Sequence, residues 1–169
     1  TDATVVVDMT IPGYWYGGYG RIPGPRRLQY PIGWGTLGSA LPASVGAAAL
    51  RERPVLALCG DGGFMYAVGE LAVLRQENLP VTVLVVDDGG YGMLRYDQDR
   101  AGDQHRGVDL YRPDLGAVAS SFGIPSAVLH GVDELEAALA DALAAREPRM
   151  VVLPLALTPP RTTSPRWHD

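Results

Sequence analysis

Two stretches of this chain, "PVLALCG" (54–60) and "VTVLVVDD" (81–88), run apolar without a break and stop at acidic glycine turns, "GDGG" and "DDGG". A strand with one wet face alternates apolar and polar side chains, so an unbroken apolar strand must be covered on both faces. Between the two, "YAVGELAVLRQEN" has helical spacing and a stop at Asn78 and Pro80. Strand, helix and strand, with both strands covered twice, is the parallel unit of an α/β sheet. The expected fold is therefore α/β, a doubly wound, mostly parallel sheet with helices on both faces.

The same alternation extends over the rest of the chain. "TVVVD" (4–8) reads as a short buried strand, and the Gly, Pro, Tyr and Trp of residues 12–35 predict an ordered, aromatic-anchored loop. A loop of that length inside a compact domain is usually functional. Small residues at close helical spacing predict a helix over 42–51, with Pro42 at its start. After a loop of mixed charge, "PDLGAVASSFG" reads as a helix opened by Pro113 and Asp114 and stopped by Gly123. "SAVLH" reads as a strand, "VDELEAALADALAARE" as a helix capped by Asp133, and "RMVVLPLAL" as the last strand. "TPPRTTSPRWHD" reads as a peripheral tail.

Composition excludes several classes. The 169 residues are 47% hydrophobic and 20% charged, which suits one core. With a net charge of −5, a pI near 5.1 and scattered arginines, the chain offers no stripe for a nucleic-acid backbone. No apolar run reaches the length of a membrane span, and the start lacks the marks of a signal peptide, so a cytoplasmic protein is expected. The chain begins without Met, which suggests a piece of something longer. Cys59, the only cysteine, lies in an apolar strand and reads as a small buried thiol. His105 reads as a solvated loop residue and His130 as a strand end, neither with a partner at metal-ligand spacing.

In open parallel sheets, ligands bind beyond the carboxyl ends of the strands, where helix N-termini offer free N–H groups and the positive end of a dipole. Both acidic turns fall on that edge. Glycines admit an anion to the backbone, and a carboxylate beside an anion makes sense only with a cation between them. The pattern predicts Mg²⁺ bridging Asp61 and Asp88 to a phosphorylated ligand, since magnesium typically takes one or two carboxylates plus phosphate oxygens.

Asp61 and Asp88 stand 27 positions apart. With that gap, "GDG" and "DD" resemble the "GDG…NN" thiamine diphosphate motif in the pyrophosphate-binding (PP) domain of the acetolactate synthase and benzoylformate decarboxylase superfamily. "GWGTLGSALPASVGAAAL" is similar to that family's "GxGTMGxGLPAAIGA", and "QENLPVTVLVV" to the stretch before its second metal ligand. The resemblance covers most of the chain and implies a PP domain over 1–157, with a Pro/Thr-rich tail over 158–169. It implies thiamine diphosphate and Mg²⁺ as cofactors and a 2-oxo acid as the substrate that is decarboxylated, with or without ligation to an acceptor. Carried over, Asp61 and Asp88 become side-chain metal ligands, and Gly90 a third through its carbonyl. Gly60, Gly62 and Gly63 form the diphosphate turn. Gly35 accepts a hydrogen bond from the aminopyrimidine, and Leu37 is the apolar wedge that bends the cofactor so that it can deprotonate itself. Tyr91, Gly92 and Met93 complete the cofactor side, and Met93 with Leu94 line the substrate pocket.

The chain also departs from that family. Asp87 and Asp88 replace two asparagines, and the added charge beside a diphosphate costs affinity unless neutralised, with Arg95 the candidate counter-charge. Asp87 itself reads as a turn residue bonding its own backbone. "DMTIPGYWY" offers only Thr10 as a polar contact for the diphosphate. Tyr96 and Asp97 stand where acetolactate synthases carry Gln-Trp, and "YGMLRY" is similar to the "YGALRW" of benzoylformate decarboxylases. The family's catalytic glutamate comes from a separate pyrimidine-binding (Pyr) domain, and Glu70, inside a helix, reads as structural. Half an active site is expected, completed by a Pyr domain on the same or another chain of a homo-oligomer. Tyr14, Trp15, Tyr16 and Tyr19 are its expected anchors or core residues. Three readings stand beside an acetolactate synthase-like enzyme. They are a non-ligating, benzoylformate decarboxylase-like enzyme, a non-catalytic assembly module, and a dinucleotide-binding domain, which lacks "GxGxxG" after the first strand.

Overall fold

The computed structural model describes residues 2–50 and 52–161. Six strands form one sheet: β1 Thr4–Val7, β2 Leu28–Gln29, β3 Val55–Gly60, β4 Val81–Asp87, β5 Ser126–Val128 and β6 Arg149–Pro154. Their order is β2-β1-β3-β4-β6-β5, and every pairing is parallel. The α-helices are α1 Ile11–Tyr19, α2 Ala40–Ala49, α3 Asp61–Tyr66, α4 Glu70–Gln76, α5 Gly92–Ala101, α6 Leu115–Ser121 and α7 Leu135–Ala144. No helix among the described residues is long and apolar enough to cross a membrane.

The unbroken apolar runs lie at the centre of the sheet because successive strand side chains point to opposite faces. Val6, Ala57, Cys59, Val83 and Val85 face Leu71 and Leu74 of α4 and Leu115 and Ala119 of α6. Val5, Val7, Leu58, Leu84 and Val86 face Tyr16 of α1 and Leu135 and Leu139 of α7. All of β4 is buried, each valine or leucine contributing roughly 1.5–3 kcal/mol. From β1 the chain runs through α1 outward to β2, whereas from β3 it runs through α3 and α4 the other way to β4. The carboxyl ends of β1 and β3 therefore flank a topological switch point, where a crevice opens.

Several local expectations are corrected. The segment 12–35, expected as a loop, contains most of α1 and all of β2. Helix α1 forms despite three glycines because they admit close packing: a Cβ on Gly17 would stand 2.6 Å from the Tyr30 ring. The charged loop after β4 opens with helix α5, stopped by Gly102 at φ +71. The helix expected over 66–78 is shorter: α3, which was not expected, ends at Tyr66, a turn follows at 67–69, and α4 spans Glu70–Gln76. The helix expected over 42–51 begins at Ala40, with Pro42 in its first turn, and its predicted end, Arg51, lies outside the described residues. Asp133 does not cap α7. It sits in a 3₁₀ turn, Val132–Glu134, and the Glu134 carboxylate instead accepts the His130 N–H at 3.0 Å. Strands β5 and β6 end sooner than expected, at Val128 and Pro154. Of the tail, 158–161 are irregular, with the Trp15 indole donating to the Thr158 carbonyl at 2.8 Å, and the rest lies outside the described residues.

Candidate cofactor site

The crevice at the switch point is an open cleft of about 230 Å³. Gly60, Asp61, Gly62 and Gly63 enter it from the end of β3 and the first turn of α3. Asp88, Gly90, Tyr91, Gly92 and Met93 enter from the turn after β4 and the start of α5, and Gly35 and Leu37 from the loop before α2. Every residue singled out for cofactor or metal thus lines one cleft. Leu94 joins them, as do Thr10 and Tyr14 from the β1 side. Glu70, His105 and His130 do not line it. His105 Nε2 lies 2.8 Å from Asp99 Oδ1 of α5.

Local structure explains the placements. Gly60 is extended, and Asp61 begins α3, so the first amides of that helix, those of Gly62 and Gly63 among them, are free of helical partners. The turn 88–91 is clamped by the antiparallel segment 108–110: Tyr91 N–H donates to the Val108 carbonyl at 2.8 Å, and Leu110 N–H to that of Gly89 at 3.1 Å. A Cβ on Gly90 would overlap the Val108 carbonyl oxygen, so this approach requires glycine. The Tyr91 and Tyr66 hydroxyls are bonded at 3.1 Å, which ties α5 to α3 across the cleft.

The three carboxylates differ in their company. Asp87 Oδ1 accepts the Gly89 N–H at 3.1 Å, the expected turn bond, and Oδ2 pairs with Arg112 at 2.8 Å. Asp88 receives Arg95 on both its carbonyl, at 2.8 Å, and its carboxylate, at 2.9 Å. Arg95 is thus the counter-charge of Asp88, and Arg112, which no motif marked, that of Asp87. Burial raises Asp88 while Arg95 opposes the rise. Asp61 is buried, and no arginine among the described residues pairs with it. Burial, then the charges of Asp88 and Asp87, push its pKa up to about 6.

A lone buried carboxylate beside a second one fits a cation. No cluster of three or more His, Cys, Asp or Glu suited to a metal exists among the described residues. Two carboxylates with the remainder of the shell from carbonyl and phosphate oxygens fit magnesium. Sequence reasoning passed over Asp8, which ended a predicted strand. It is wholly buried, and its carboxylate accepts the Gly38 N–H. The available signal was an acidic residue closing an apolar strand on the edge where the other two acidic turns lie.

Fold and cleft define a doubly wound α/β domain with a glycine-rich, acidic ligand cradle at its switch point. The chain belongs to the family "Thiamine pyrophosphate enzyme, C-terminal TPP binding domain", which matches residues 8–153. It is a thiamine diphosphate-binding domain of thiamine diphosphate-dependent enzymes, which sets aside the dinucleotide-binding reading. It is 37% identical over 138 residues to the "Probable 2-ketoarginine decarboxylase AruI" of Pseudomonas aeruginosa, covering 80% of this chain and 24% of that protein. It is 29% identical to the acetolactate synthase of Bacillus subtilis, covering 90% of this chain and 27% of that one. The benzoylformate decarboxylase of Polynucleobacter necessarius superimposes with a TM-score of 0.80 at 28% identity, over 95% of this chain and 32% of that one. The chain spans about a quarter of the length of the curated relatives it matches.

Proposed function

We propose that this chain is the cofactor-holding part of a Mg²⁺- and thiamine diphosphate-dependent enzyme that decarboxylates a 2-oxo acid. The observation that carries the reading is the buried carboxylate of Asp61, held by backbone amides and by no arginine among the described residues, in one cleft with Asp88 and the Gly60–Gly63 turn. Asp61 and Asp88 hold the metal, with the Gly90 carbonyl as third ligand, and the Gly62 and Gly63 amides receive the diphosphate. Gly35 would offer its carbonyl to the aminopyrimidine, and Leu37 would be the apolar wedge against the cofactor. Tyr91, Gly92 and Met93 close the side toward α5, and Met93 and Leu94 face the substrate. Thiamine diphosphate, when bound, supplies the electron sink for loss of CO₂. That loss is the step common to 2-oxo acid decarboxylases and acetolactate synthases, and relatives named as a decarboxylase and as acetolactate synthases support it.

The cleft of about 230 Å³ is smaller than the roughly 300–1,000 Å³ of pockets that enclose a ligand. Ile32, Trp34, Tyr66 and Leu94 are exposed, Trp34 to 88%. An open half-site and bare aromatics support a Pyr domain, on the same or another chain of a homo-oligomer, as the missing wall.

Calorimetric titration of the intact protein with thiamine diphosphate tests the assignment, with Mg²⁺ or with a chelator, alongside CO₂ release from a panel of 2-oxo acids. Saturable binding that needs Mg²⁺ and is lost in Asp61→Ala is expected. Binding indifferent to both overturns the metal site, and no CO₂ from any 2-oxo acid overturns the reaction and favours the assembly module.

A further inference from the structure

Asp8 directly follows β1 on the sheet edge that carries the acidic turns, yet it is fully buried, at 0% exposure, behind the residues that line the cleft. Buried charges are ordinarily paired with a cation. Among the described residues no arginine pairs with Asp8. Its partners are backbone amides. Met9 N–H donates to Oδ1 at 2.9 Å, the Gly38 N–H lies 2.9 Å from both oxygens, and the Ser39 amide adds its pull. Gly38 and Ser39 lead directly into α2, whose own N-cap residue, Ser39, makes no side-chain capping bond. Burial raises the Asp8 pKa, and the amides of Gly38, Met9 and Ser39 oppose the rise, so Asp8 supplies from the end of a neighbouring strand the acceptor that the start of α2 lacks.

The same carboxylate touches two parts of the cofactor cleft. Gly38, held at φ +86, follows Leu37 directly, and the Leu37 N–H donates to the Gly35 carbonyl at 3.0 Å, so Gly35 to Gly38 form one turn. On the other side, a Cβ on Gly63 would overlap Asp8 Oδ2 and stand 3.1 Å from Leu37 Cδ1. The end of β1, the Leu37 turn and the first turn of α3 meet at this one buried group.

We infer that Asp8 is a positioning residue for the cofactor: by holding the Gly38 amide it sets where Leu37 and the Gly35 carbonyl stand against the Gly60–Gly63 turn. The inference rests on the thiamine diphosphate site proposed above. An asparagine has nearly the same shape, but its NH₂ group must face N–H donors, which leaves one of them without an acceptor.

The test is calorimetric titration of the intact wild-type, Asp8→Asn and Val45→Ala proteins with two ligands, Mg²⁺-thiamine diphosphate and Mg²⁺-pyrophosphate. Val45 packs α2 onto the core and serves as the purely structural control. Asp8→Asn is expected to weaken thiamine diphosphate about tenfold and pyrophosphate by no more than about twofold, because pyrophosphate has no ring system to meet Leu37 or Gly35. Val45→Ala lowers the melting temperature and leaves the ratio of the two affinities unchanged. In a Leu37→Ala background, Asp8→Asn costs less than it does in wild type, because only the Gly35 carbonyl is left to misplace. Equal weakening of both ligands, or an unchanged ratio, overturns the role of Asp8. Should Asp8→Asn not fold, Asp8→Ser, which keeps an acceptor without the charge, carries the same comparison. A wild-type protein that binds pyrophosphate but not thiamine diphosphate overturns the underlying site reading, whereas an Asp8→Asn protein that binds both as wild type does overturns only the positioning role.

Discussion

At Asp61, stability and ligand binding pull in opposite directions. Its carboxyl, ordinarily near 3.8, is pushed up to about 6 by burial and by Asp88 and Asp87. Between those values the folded chain keeps a proton that the unfolded chain has released. Stability contributed by this group therefore falls as pH rises through that window, and the full cost, of order 2–3 kcal/mol, is in place above about pH 6. Denaturant unfolding of the metal-free protein should find Asp61→Asn more stable than wild type at pH 7, with the gap closing toward pH 4. The same variant should gain no stability from Mg²⁺ and thiamine diphosphate, whereas wild type should. A second prediction concerns Asp87, whose charge Arg112 neutralises. Arg112→Gln should weaken diphosphate binding about fivefold by leaving that carboxylate uncompensated, and adding Asp87→Asn should restore it in the same titration. If the double variant stays weak, charge is not the reason for the pair.

Helix α1 shows what happens when packing overrules local preference. Gly17→Ala improves helix propensity by up to about 1 kcal/mol, yet its Cβ would stand 2.6 Å from the Tyr30 ring. Net destabilisation of about 1–3 kcal/mol is expected from overpacking, read by denaturant midpoint. This conflict is also why α1 was illegible in the sequence: "IPGYWYGGY" is poor helix material, and only the sheet beneath it calls for its glycines. Helix α5 was illegible for the opposite reason, since "GMLRYDQDRA" buries nothing and carries no apolar stripe. By contrast, β3 and β4 could be read directly, because strands covered on both faces are apolar almost throughout, with only Thr82 and the terminal Asp87 polar in β4. The acidic glycine turns were legible too, as their chemistry is local to a few consecutive residues. Asp8 and Arg112 were not: each acts through a residue 25 to 30 positions distant, Asp87 for Arg112 and Gly38 for Asp8. Nothing in the residues beside them declares that pairing.

Taken whole, the described residues form one parallel sheet with an open cleft at its switch point. Trp34, the residue before Gly35 of the cleft, is 88% exposed. Trp34→Ser should leave the unfolding free energy within about 0.5 kcal/mol of wild type, as surface changes usually do, while loosening cofactor retention in the intact protein. Retention through gel filtration measures it, and undiminished retention would place the missing wall elsewhere. The acidic cleft has a consequence for the life of the protein as well as for its chemistry. Because the folded, empty form carries mutually repelling carboxylates, metal and cofactor bound as proposed would act as a folding ligand, worth about 2.7 kcal/mol when free ligand exceeds its dissociation constant a hundredfold. Molecules made during a shortage of thiamine would then be the ones that open most often and meet proteases first. The supply of the vitamin would set how much of the enzyme a cell keeps, and not only how fast each copy works.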